Sequence, residues 1–164
     1  MRETPEGLLA RLTALGIEHR VTHHPAVFTV AESQALRGQL DGGHTKNLFL
    51  RPKSGPFLLI TLEEARQVGV NAVVRAAGAP RASFADAAAL MEQLGVAPGS
   101  VTPLGLVNAR PGAVRAIFDR HLVEDCAWIN VHPLTNTATV TIRPRALLEL
   151  LRGFGHLPEV MALE

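Results

Sequence analysis

Apolar residues recur at helical spacing near the N-terminus of the chain and at strand spacing soon afterwards. Leucines at helical spacing after Pro5 predict a first helix, which Gly16 ends. Alternation of apolar and polar residues over 17–23 predicts a strand. A helical period returns over about 30–40, and the residues at 41–43 predict the turn that follows.

Short apolar runs rich in β-branched and aromatic residues fill the centre of the chain and recur in its C-terminal half. Two of them, 45–51 and 57–62, are joined by a segment rich in proline and glycine, which is typical of a hairpin. Similar runs predict further strands over 113–118, 123–131, 138–142 and 159–163.

Ala-rich segments predict two helices after this hairpin, over 71–77 and 83–94, with Ser83 as the N-cap of the second. A last helix is predicted over 145–151. Because helices interrupt the hairpins, the pattern predicts an α/β (α+β) fold: a single domain over 1–164 with a mixed, largely antiparallel sheet flanked by helices. No strand precedes a glycine-rich phosphate loop, which disfavours a doubly wound dinucleotide-binding sheet.

Composition narrows the classes of function. A chain of 164 residues is long enough to bury most of its apolar surface in one domain. The net charge of +1 gives no whole-molecule attraction to nucleic acid, so RNA binding would need a local patch. The single cysteine excludes an internal disulfide, and neither a signal peptide nor a membrane-spanning run is present. We therefore expect a soluble, cytoplasmic protein.

The common catalytic motifs are absent from the sequence. The seven histidines lack metal-ligand spacing, since no His-Glu-x-x-His motif occurs. No Gly-x-Ser-x-Gly elbow marks a serine hydrolase, and Cys126 has no activating neighbour. We therefore expect neither a metal nor a cofactor, and a mechanism that depends on positioning and hydrogen bonds to a substrate.

Lys46 stands out because the chain has only two lysines against fourteen arginines. It lies in a polar segment, 44–47, directly before an apolar run. An ammonium is a compact charge with rotatable donors, whereas a guanidinium is a wide planar fork, so a crowded pocket can accept one and reject the other. This contrast favours a chemical role for Lys46; the alternative is a solvated lysine at the start of a strand.

Two further polar segments interrupt the apolar pattern. In 99–105, Gly99 lets backbone N–H groups approach a ligand and Pro103 fixes the loop, although an ordinary tight connection explains the segment equally well. His132 opens the segment 132–137, which has the composition of a hairpin turn. Turn chemistry accounts for its proline and asparagine but not for the histidine, so a pocket wall is the second interpretation.

Taken in order, these segments resemble the YbaK/ProX family of aminoacyl-tRNA editing domains, most closely its free-standing alanyl-tRNA(Pro) deacylases. The likeness runs over almost the whole chain, and its main segments are 44–50, 90–106, 132–139 and 155–156. The resemblance implies a mixed sheet flanked by helices and a hydrolase that removes alanine mischarged onto proline tRNA. It also implies that water is activated with help from the 2′-hydroxyl of the terminal adenosine.

The resemblance assigns roles to individual residues. Lys46 matches the family's lysine and would orient the terminal nucleotide or offset developing negative charge. Gly99 and Pro103 match the ends of its Gly-x-x-x-Pro loop, which would fix the ester carbonyl; with Lys46 they are the expected catalytic residues. The residues expected to bind the substrate are Val30, Thr45, Asn47, Phe49, Ile60, Ser100, Val101, Thr102 and His132, the last matching the family's pocket histidine.

The implied partner is the acceptor end of tRNA(Pro) carrying alanine, with prolyl-tRNA synthetase or an elongation factor as docking partners to test. The expected tRNA-binding cations are Arg51, Lys53, Arg75 and Arg81, each with solubilising surface charge as its alternative. Two other functions stay open at this point. One is a cysteinyl-tRNA(Pro) deacylase, and the other is a non-catalytic module of the same fold that binds an amino acid or aminoacyl-tRNA.

Overall fold

The computed structural model describes residues 2–26, 40 and 42–163 of the chain. The predicted helix over about 30–40 falls almost entirely outside these residues, and so does Val30, one of the expected pocket residues. None of the helices in the described ranges is both long enough and apolar enough to cross a membrane.

One mixed sheet contains the eight strands of the described residues. Its order is β1-β7-β6-β2-β3-β5-β8, and β4 pairs with β2 as well. The strands are β1 (His19–His23), β2 (Gly43–Pro52), β3 (Phe57–Glu63), β4 (Ala82–Phe84), β5 (Val114–Asp119), β6 (Ile129–Val131), β7 (Ala138–Ile142) and β8 (Glu159–Met161).

Antiparallel pairs outnumber parallel pairs among these strands, four to three. The antiparallel pairs are β1 with β7, β7 with β6, and β2 with both β3 and β4. The parallel pairs are β2 with β6, β3 with β5, and β5 with β8. The predicted fold class, a mixed and largely antiparallel sheet with flanking helices, is confirmed.

Helices cover both faces of the sheet. They are α1 (Pro5–Ala14), α2 (Val70–Ala76), α3 (Ala87–Leu94), α4 (Arg120–Glu124), α5 (Pro144–Gly153) and a 3-10 helix (Pro103–Asn108). Local chemistry sets their ends. The Thr4 hydroxyl accepts a hydrogen bond from Gly7 N at the start of α1, and Gly95, with φ of 69°, ends α3 in the left-handed conformation.

Two of the predicted elements are wrong. Ser83 does not cap a helix, because it lies in β4 and pairs with Arg51 of β2. The helix α3 begins later, where the Asp86 carboxylate accepts a hydrogen bond from Ala89 N. The predicted strand over 123–131 is mostly α4 and a loop, and only Ile129–Val131 is extended. In both places a short local element interrupts a pattern that reads as continuous in sequence.

The sheet separates two hydrophobic cores. The main core lies between one face and α1, α3, α5 and the 3-10 helix, with Leu12, Leu94 and Leu147 fully buried in it. The second core lies on the other face, where α2 covers β3 and the C-terminal half of β2. That second face continues over β6 and β7, and there it is polar.

Candidate active site

The sheet opens along one edge of β2. On its other edge, β3 pairs with β2 from Thr45 to Leu50. On the open edge, β6 pairs only as far as His44, and β4 begins only at Leu50. Within the part of the chain that the structure describes, no strand fills the space between. Among the described strands, the middle of β2 therefore has no partner on this edge, and this unpaired stretch is called the gap.

Backbone groups of β2 point into this gap. Gly43 N donates to Trp128 O on this edge at 2.8 Å, and Phe49 O accepts from Ala85 N at 3.0 Å. Since hydrogen-bonding direction alternates along a strand, the N–H and C=O groups of Asn47 face the same edge. Among the described residues, no strand pairs with these groups of Asn47.

Lys46 lies beside the gap with its ammonium held in place. Its side chain is half-buried, and Nζ donates to the backbone carbonyl of Arg66 at 2.5 Å. The Arg66 guanidinium in turn pairs with the Asp119 carboxylate at 2.6 Å, and Asp119 is only 1% exposed. The loop that holds the ammonium is thus anchored by a largely buried ion pair.

The face of the sheet that carries Lys46 becomes polar over β6 and β7. His44 pairs with Asn130, so Lys46 and Asn130 share this face. Asn130, Thr139 and Thr141 are buried there, and Thr141 Oγ1 donates to Asn130 Oδ1 at 2.6 Å. Burying polar groups in hydrogen-bonded partnerships keeps this face rigid without making it apolar.

His132 follows β6 at the border of the gap. Its Nδ1 lies 3.1 Å from Ala138 O, so Nδ1 carries the donated proton and Nε2 of the neutral ring is an acceptor. Burial lowers the pKa of His132 and the nearby His24 acts in the same direction, while the Ala138 hydrogen bond and the Glu64 carboxylate oppose them. The net effect keeps the imidazole neutral at physiological pH.

The glycine–proline loop packs against the same segment. Thr102 Oγ1 donates to the His132 carbonyl at 2.6 Å and also accepts from Leu104 N at the start of the 3-10 helix. Gly99 has φ of 91°, and a Cβ built on it would lie 3.8 Å from Asn136 Nδ2. The predicted loop and the predicted histidine therefore form one structural unit.

The other residues of this loop are mostly enclosed. Ser100 and Pro103 are buried, and Val101 packs against the main core. The turn after His132 contains Leu134, which has a φ of 67°. Among the described residues, it is the one residue other than glycine with a positive φ. A buried leucine in this conformation stores about 1–3 kcal/mol of strain, and such strain is common at binding sites.

Several expected substrate-binding side chains take part in the sheet instead of facing the gap. Thr45 Oγ1 donates to Asn130 O, and Asn47 Oδ1 accepts from Thr61 Oγ1, each at 2.7 Å. Phe49 lies in the main core, stacked on Phe57. Ile60 is on the same face as Lys46 but is fully buried in the second core. The structure thus joins the loop to His132 and places Lys46 on the neighbouring part of the sheet, and it sets these four side chains apart.

Three of the four expected tRNA-binding cations lie together. Arg51, Lys53 and Arg81 line a cleft of about 340 Å³, with Pro52, Ala82 and Ser83 as its other walls. The cleft is formed where β4 joins β2, and Lys53 N donates to Arg81 O at 2.9 Å. No carboxylate is among its lining residues. Arg75 lies apart, exposed on α2.

The described residues contain neither a cluster of metal ligands nor an activated thiol. No three His, Cys, Asp or Glu side chains in the described ranges come together as a metal site. Burial raises the pKa of the Cys126 thiol, and the carboxylates of Glu63 and Asp125 act in the same direction. The thiol is therefore protonated at neutral pH and is a weak nucleophile.

The sequence patterns did not identify every residue around the site. Arg66 and Asp119 are 53 positions apart, and neither lies in a recognisable motif. His24 Nε2 lies 2.8 Å from Thr139 Oγ1, close to His132. The alternation of threonine and valine over 139–141 was the available signal for a polar face.

The chain is thus an α/β protein with one mixed sheet, in which the glycine–proline loop packs against the segment that carries His132. The model of the aminoacyl-tRNA editing domain family matches residues 24–150. The chain belongs to this family, and the resemblance found in its sequence is confirmed.

Individual relatives are similar over most of their length. Prolyl-tRNA synthetase associated domain-containing protein 1 of Danio rerio is 36% identical over 154 residues, which cover 93% of this chain and 84% of that protein. The prolyl-tRNA editing protein ProX of Acetoanaerobium sticklandii is 27% identical over 156 residues, 94% of each chain. A solved structure described as a candidate trans-editing enzyme for prolyl tRNA synthetase has a TM-score of 0.73 at 23% identity, covering 98% of this chain and 96% of that one. This last likeness shows the fold.

Proposed function

We propose that the protein is a trans-editing hydrolase that removes alanine from mischarged alanyl-tRNA(Pro). Membership of the aminoacyl-tRNA editing family supports hydrolysis of an aminoacyl ester. The observation that carries the proposal is the Lys46 ammonium, held by the Arg66 carbonyl on the face of the sheet that also carries the buried polar side chains of β6 and β7. The relative named as a prolyl-tRNA editing protein supports tRNA(Pro) as the nucleic acid.

Lys46 can hold a ligand without losing its anchor. An ammonium has three N–H donors, and Arg66 O takes one of them. The others can bind a phosphate or hydroxyl of the terminal nucleotide, or the oxyanion that forms as water attacks the ester. Because the anchoring carbonyl is itself fixed through Asp119, the charge is in place before the substrate arrives, and this preorganisation favours the transition state.

The reaction requires no group beyond the substrate, water and this site. Water adds its oxygen to the carbonyl carbon of the ester, and the bond from that carbon to the 3′ oxygen breaks. The proton released by the water passes to the 3′ oxygen, with the neighbouring 2′-hydroxyl as its carrier. The backbone of the loop from Gly99 to Pro103 would orient the carbonyl, and His132 Nε2 would accept a hydrogen bond from the substrate's amino group.

A small pocket at this site would select the amino acid by size. A hydrophobic pocket discriminates by about 1–3 kcal/mol per methylene, and a closed pocket excludes larger side chains sterically. Such a pocket accepts alanine and rejects proline, so the correctly charged tRNA survives. Cysteine is only slightly larger than alanine, and for this reason cysteinyl-tRNA(Pro) is the substrate to compare.

Single-turnover hydrolysis of alanyl-, cysteinyl- and prolyl-tRNA(Pro) tests the proposal. We expect the wild-type protein to deacylate alanyl-tRNA(Pro) fastest and prolyl-tRNA(Pro) hardly at all. Lys46→Ala should lower the rate by about 100-fold or more, as loss of one oxyanion-stabilising donor does. Arg152→Ala is the matched control, since it removes an exposed cation on α5, away from the gap and from the expected tRNA-binding cations, and should leave the rate unchanged.

Other outcomes would replace parts of the proposal. Faster loss of cysteine than of alanine would assign the cysteinyl substrate. A folded protein that binds all three tRNAs and hydrolyses none would be a binding module. Full activity in Lys46→Arg would contradict the argument that a compact charge is needed, because a guanidinium cannot take the place of an ammonium beside Arg66 O without moving the loop.

We place this activity in the cytoplasm and name prolyl-tRNA synthetase as the first partner to test. Several relatives carry names that associate them with that enzyme. A trans-editing protein gains from acting close to the site of mischarging, because the wrong product is then intercepted before it reaches the ribosome. Sedimentation of the protein with the synthetase, with and without tRNA(Pro), measures this association.

A further inference from the structure

Phe84 is a large aromatic side chain that the fold leaves in solvent. It is 63% exposed at the end of β4, where it pairs with Leu50 of β2. Residues that pair across strands point to the same face, so Phe84 lies on the face that carries Lys46. One exposed apolar side chain is ordinary by itself. Phe84 differs from the others because the strand that carries it also forms a wall of the basic cleft.

The ring lies between the proposed reaction centre and the basic cleft. Lys46 and Leu50 are four positions apart on β2, about 13 Å at about 3.3 Å per residue. The cleft lined by Arg51, Lys53 and Arg81 begins at the neighbouring residues of β4. Along β2, the order is therefore Lys46, the exposed ring beside Leu50, and the cleft. Of the cleft cations, Arg51 points to the opposite face, where its guanidinium lies 4.7 Å from the centre of the Phe57 ring, so Lys53 and Arg81 are the cations left for a ligand on this side.

This order matches the chemistry of a short unpaired RNA strand that leads away from a fixed end. Cations without neighbouring carboxylates attract backbone phosphates, and an exposed ring accepts any base by stacking. An acidic protein surface would be drawn to the same cations but would not require a planar ring at this place. The observations therefore favour RNA.

We propose that Phe84 stacks on an unpaired base near the 3′ end of the tRNA while the cleft binds the phosphates that lead into the acceptor stem. The inference rests on the proposed function, since it takes the terminal nucleotide to lie at Lys46. It makes Phe84 a binding residue that sets the path of the acceptor end. It also gives Lys53 and Arg81 a shared role, while Arg75 is not part of the cleft.

Binding of uncharged RNA hairpins tests the inference without any hydrolysis. One hairpin reproduces the acceptor stem with its unpaired 3′ overhang, and the other has the same stem with a blunt end. We expect the wild-type protein to prefer the overhang. Phe84→Ala and Phe84→Leu should weaken overhang binding by about 5- to 150-fold, the usual loss for one base–aromatic stack, and leave blunt-end binding unchanged.

Two controls make the result specific to stacking. Phe84→Trp keeps a planar ring and should keep the preference for the overhang. Leu157→Ala removes another exposed apolar side chain, 86% exposed and beyond α5, and should have no effect. With 2-aminopurine in the overhang, wild-type protein should quench the base fluorescence by stacking, and Phe84→Leu should not.

Equal losses on both hairpins, or no loss on either, would overturn the role of Phe84. A wild-type protein that hydrolyses the ester but shows no preference for the overhang would overturn this inference and leave the proposed function standing. A protein that prefers the overhang, loses that preference in Phe84→Ala and hydrolyses nothing would do the reverse. Failure to bind either RNA at low salt would overturn the assignment of the cleft.

Discussion

The imidazole of His132 shows how burial can keep a histidine neutral. Its Nδ1 proton is committed to the Ala138 carbonyl, so protonation would have to occur at Nε2 in a partly buried position. Burial is the main reason that its pKa lies below that of an ordinary histidine. A neutral Nε2 is the form that can accept a hydrogen bond from the amino group of an aminoacyl ester.

We expect the pKa of His132 in the folded protein to lie below about 6.5, the value of an unperturbed histidine. As pH falls below about 6.5, His132 binds a proton in the unfolded chain but not yet in the folded protein. The free energy of unfolding therefore decreases until the pH reaches the pKa of His132 in the folded protein. An NMR titration of the histidine ring signals, assigned with His132→Gln, measures this. A His132 pKa above about 6.5 would show that the Ala138 hydrogen bond and the Glu64 carboxylate together outweigh burial.

Individual site residues differ in how far the sequence could reveal them. Lys46 was recognisable because lysine is rare in this chain, and Gly99 because glycine in a polar loop suggests a special backbone conformation. The pair of Arg66 and Asp119 was not recognisable, because a contact over 53 positions leaves no local pattern. Long-range ion pairs depend on the fold and cannot be found from periodicity alone.

The backbone at the start of β2 depends on Gly42, the residue directly before the strand. Gly42 has φ of 87°, and a Cβ built on it would lie 2.4 Å from the Trp128 carbonyl oxygen. Gly43 N donates to that same oxygen, which aligns β2 with the residues before β6. A side chain at position 42 would have to displace the backbone next to the gap.

We expect Gly42→Ala to lower the free energy of unfolding by about 2–4 kcal/mol, from left-handed strain plus the clash. Gly55→Ala is the matched control: its φ is 86°, but a Cβ there meets nothing within 4 Å. It should cost only about 1–2 kcal/mol, because the strain acts alone. Urea denaturation of the two variants measures both values, and equal losses would show that the close approach to Trp128 is relieved without cost.

The elements themselves were predictable where the pattern was long and periodic. The hairpin of β2 and β3 and the helix α1 follow directly from alternation and from leucine spacing. The short strand β4 was not predictable, because it owes its conformation to pairing with β2 and not to its own residues. This missed strand matters for the proposed RNA contact, since it carries Phe84 and forms one wall of the basic cleft.

At the scale of the whole molecule, the near balance of sixteen basic and fifteen acidic side chains makes RNA binding a local property. Removing a cation from the cleft should therefore matter more than removing one elsewhere. We expect Arg81→Gln to weaken binding of tRNA(Pro) and to reduce the slope of log affinity against log salt by about 1, as for one lost phosphate contact.

Arg152→Gln changes the net charge by the same amount and is the control for this experiment. Arg152 is exposed on α5, away from the cleft, and its replacement should leave the salt slope unchanged. Titrations at several salt concentrations give both slopes. If the two variants lowered the slope equally, binding would depend on total charge and the cleft would lose its assigned role.

The alternation of side chains along β6 and β7 determines what a misaligned pairing of these strands would do to the protein. Ile129, Val140 and Ile142 point into the main core, while Asn130 and Thr141 point to the opposite, polar face. A slip of one residue in the pairing would exchange these two sets. The amides and hydroxyls would then lie in the main core, and the apolar side chains would lie on the face that carries Lys46. A misaligned molecule would lose its stability and its ligand-binding surface together. A preparation should therefore contain few stable but inactive molecules, and the fraction that is folded should measure the fraction that is active.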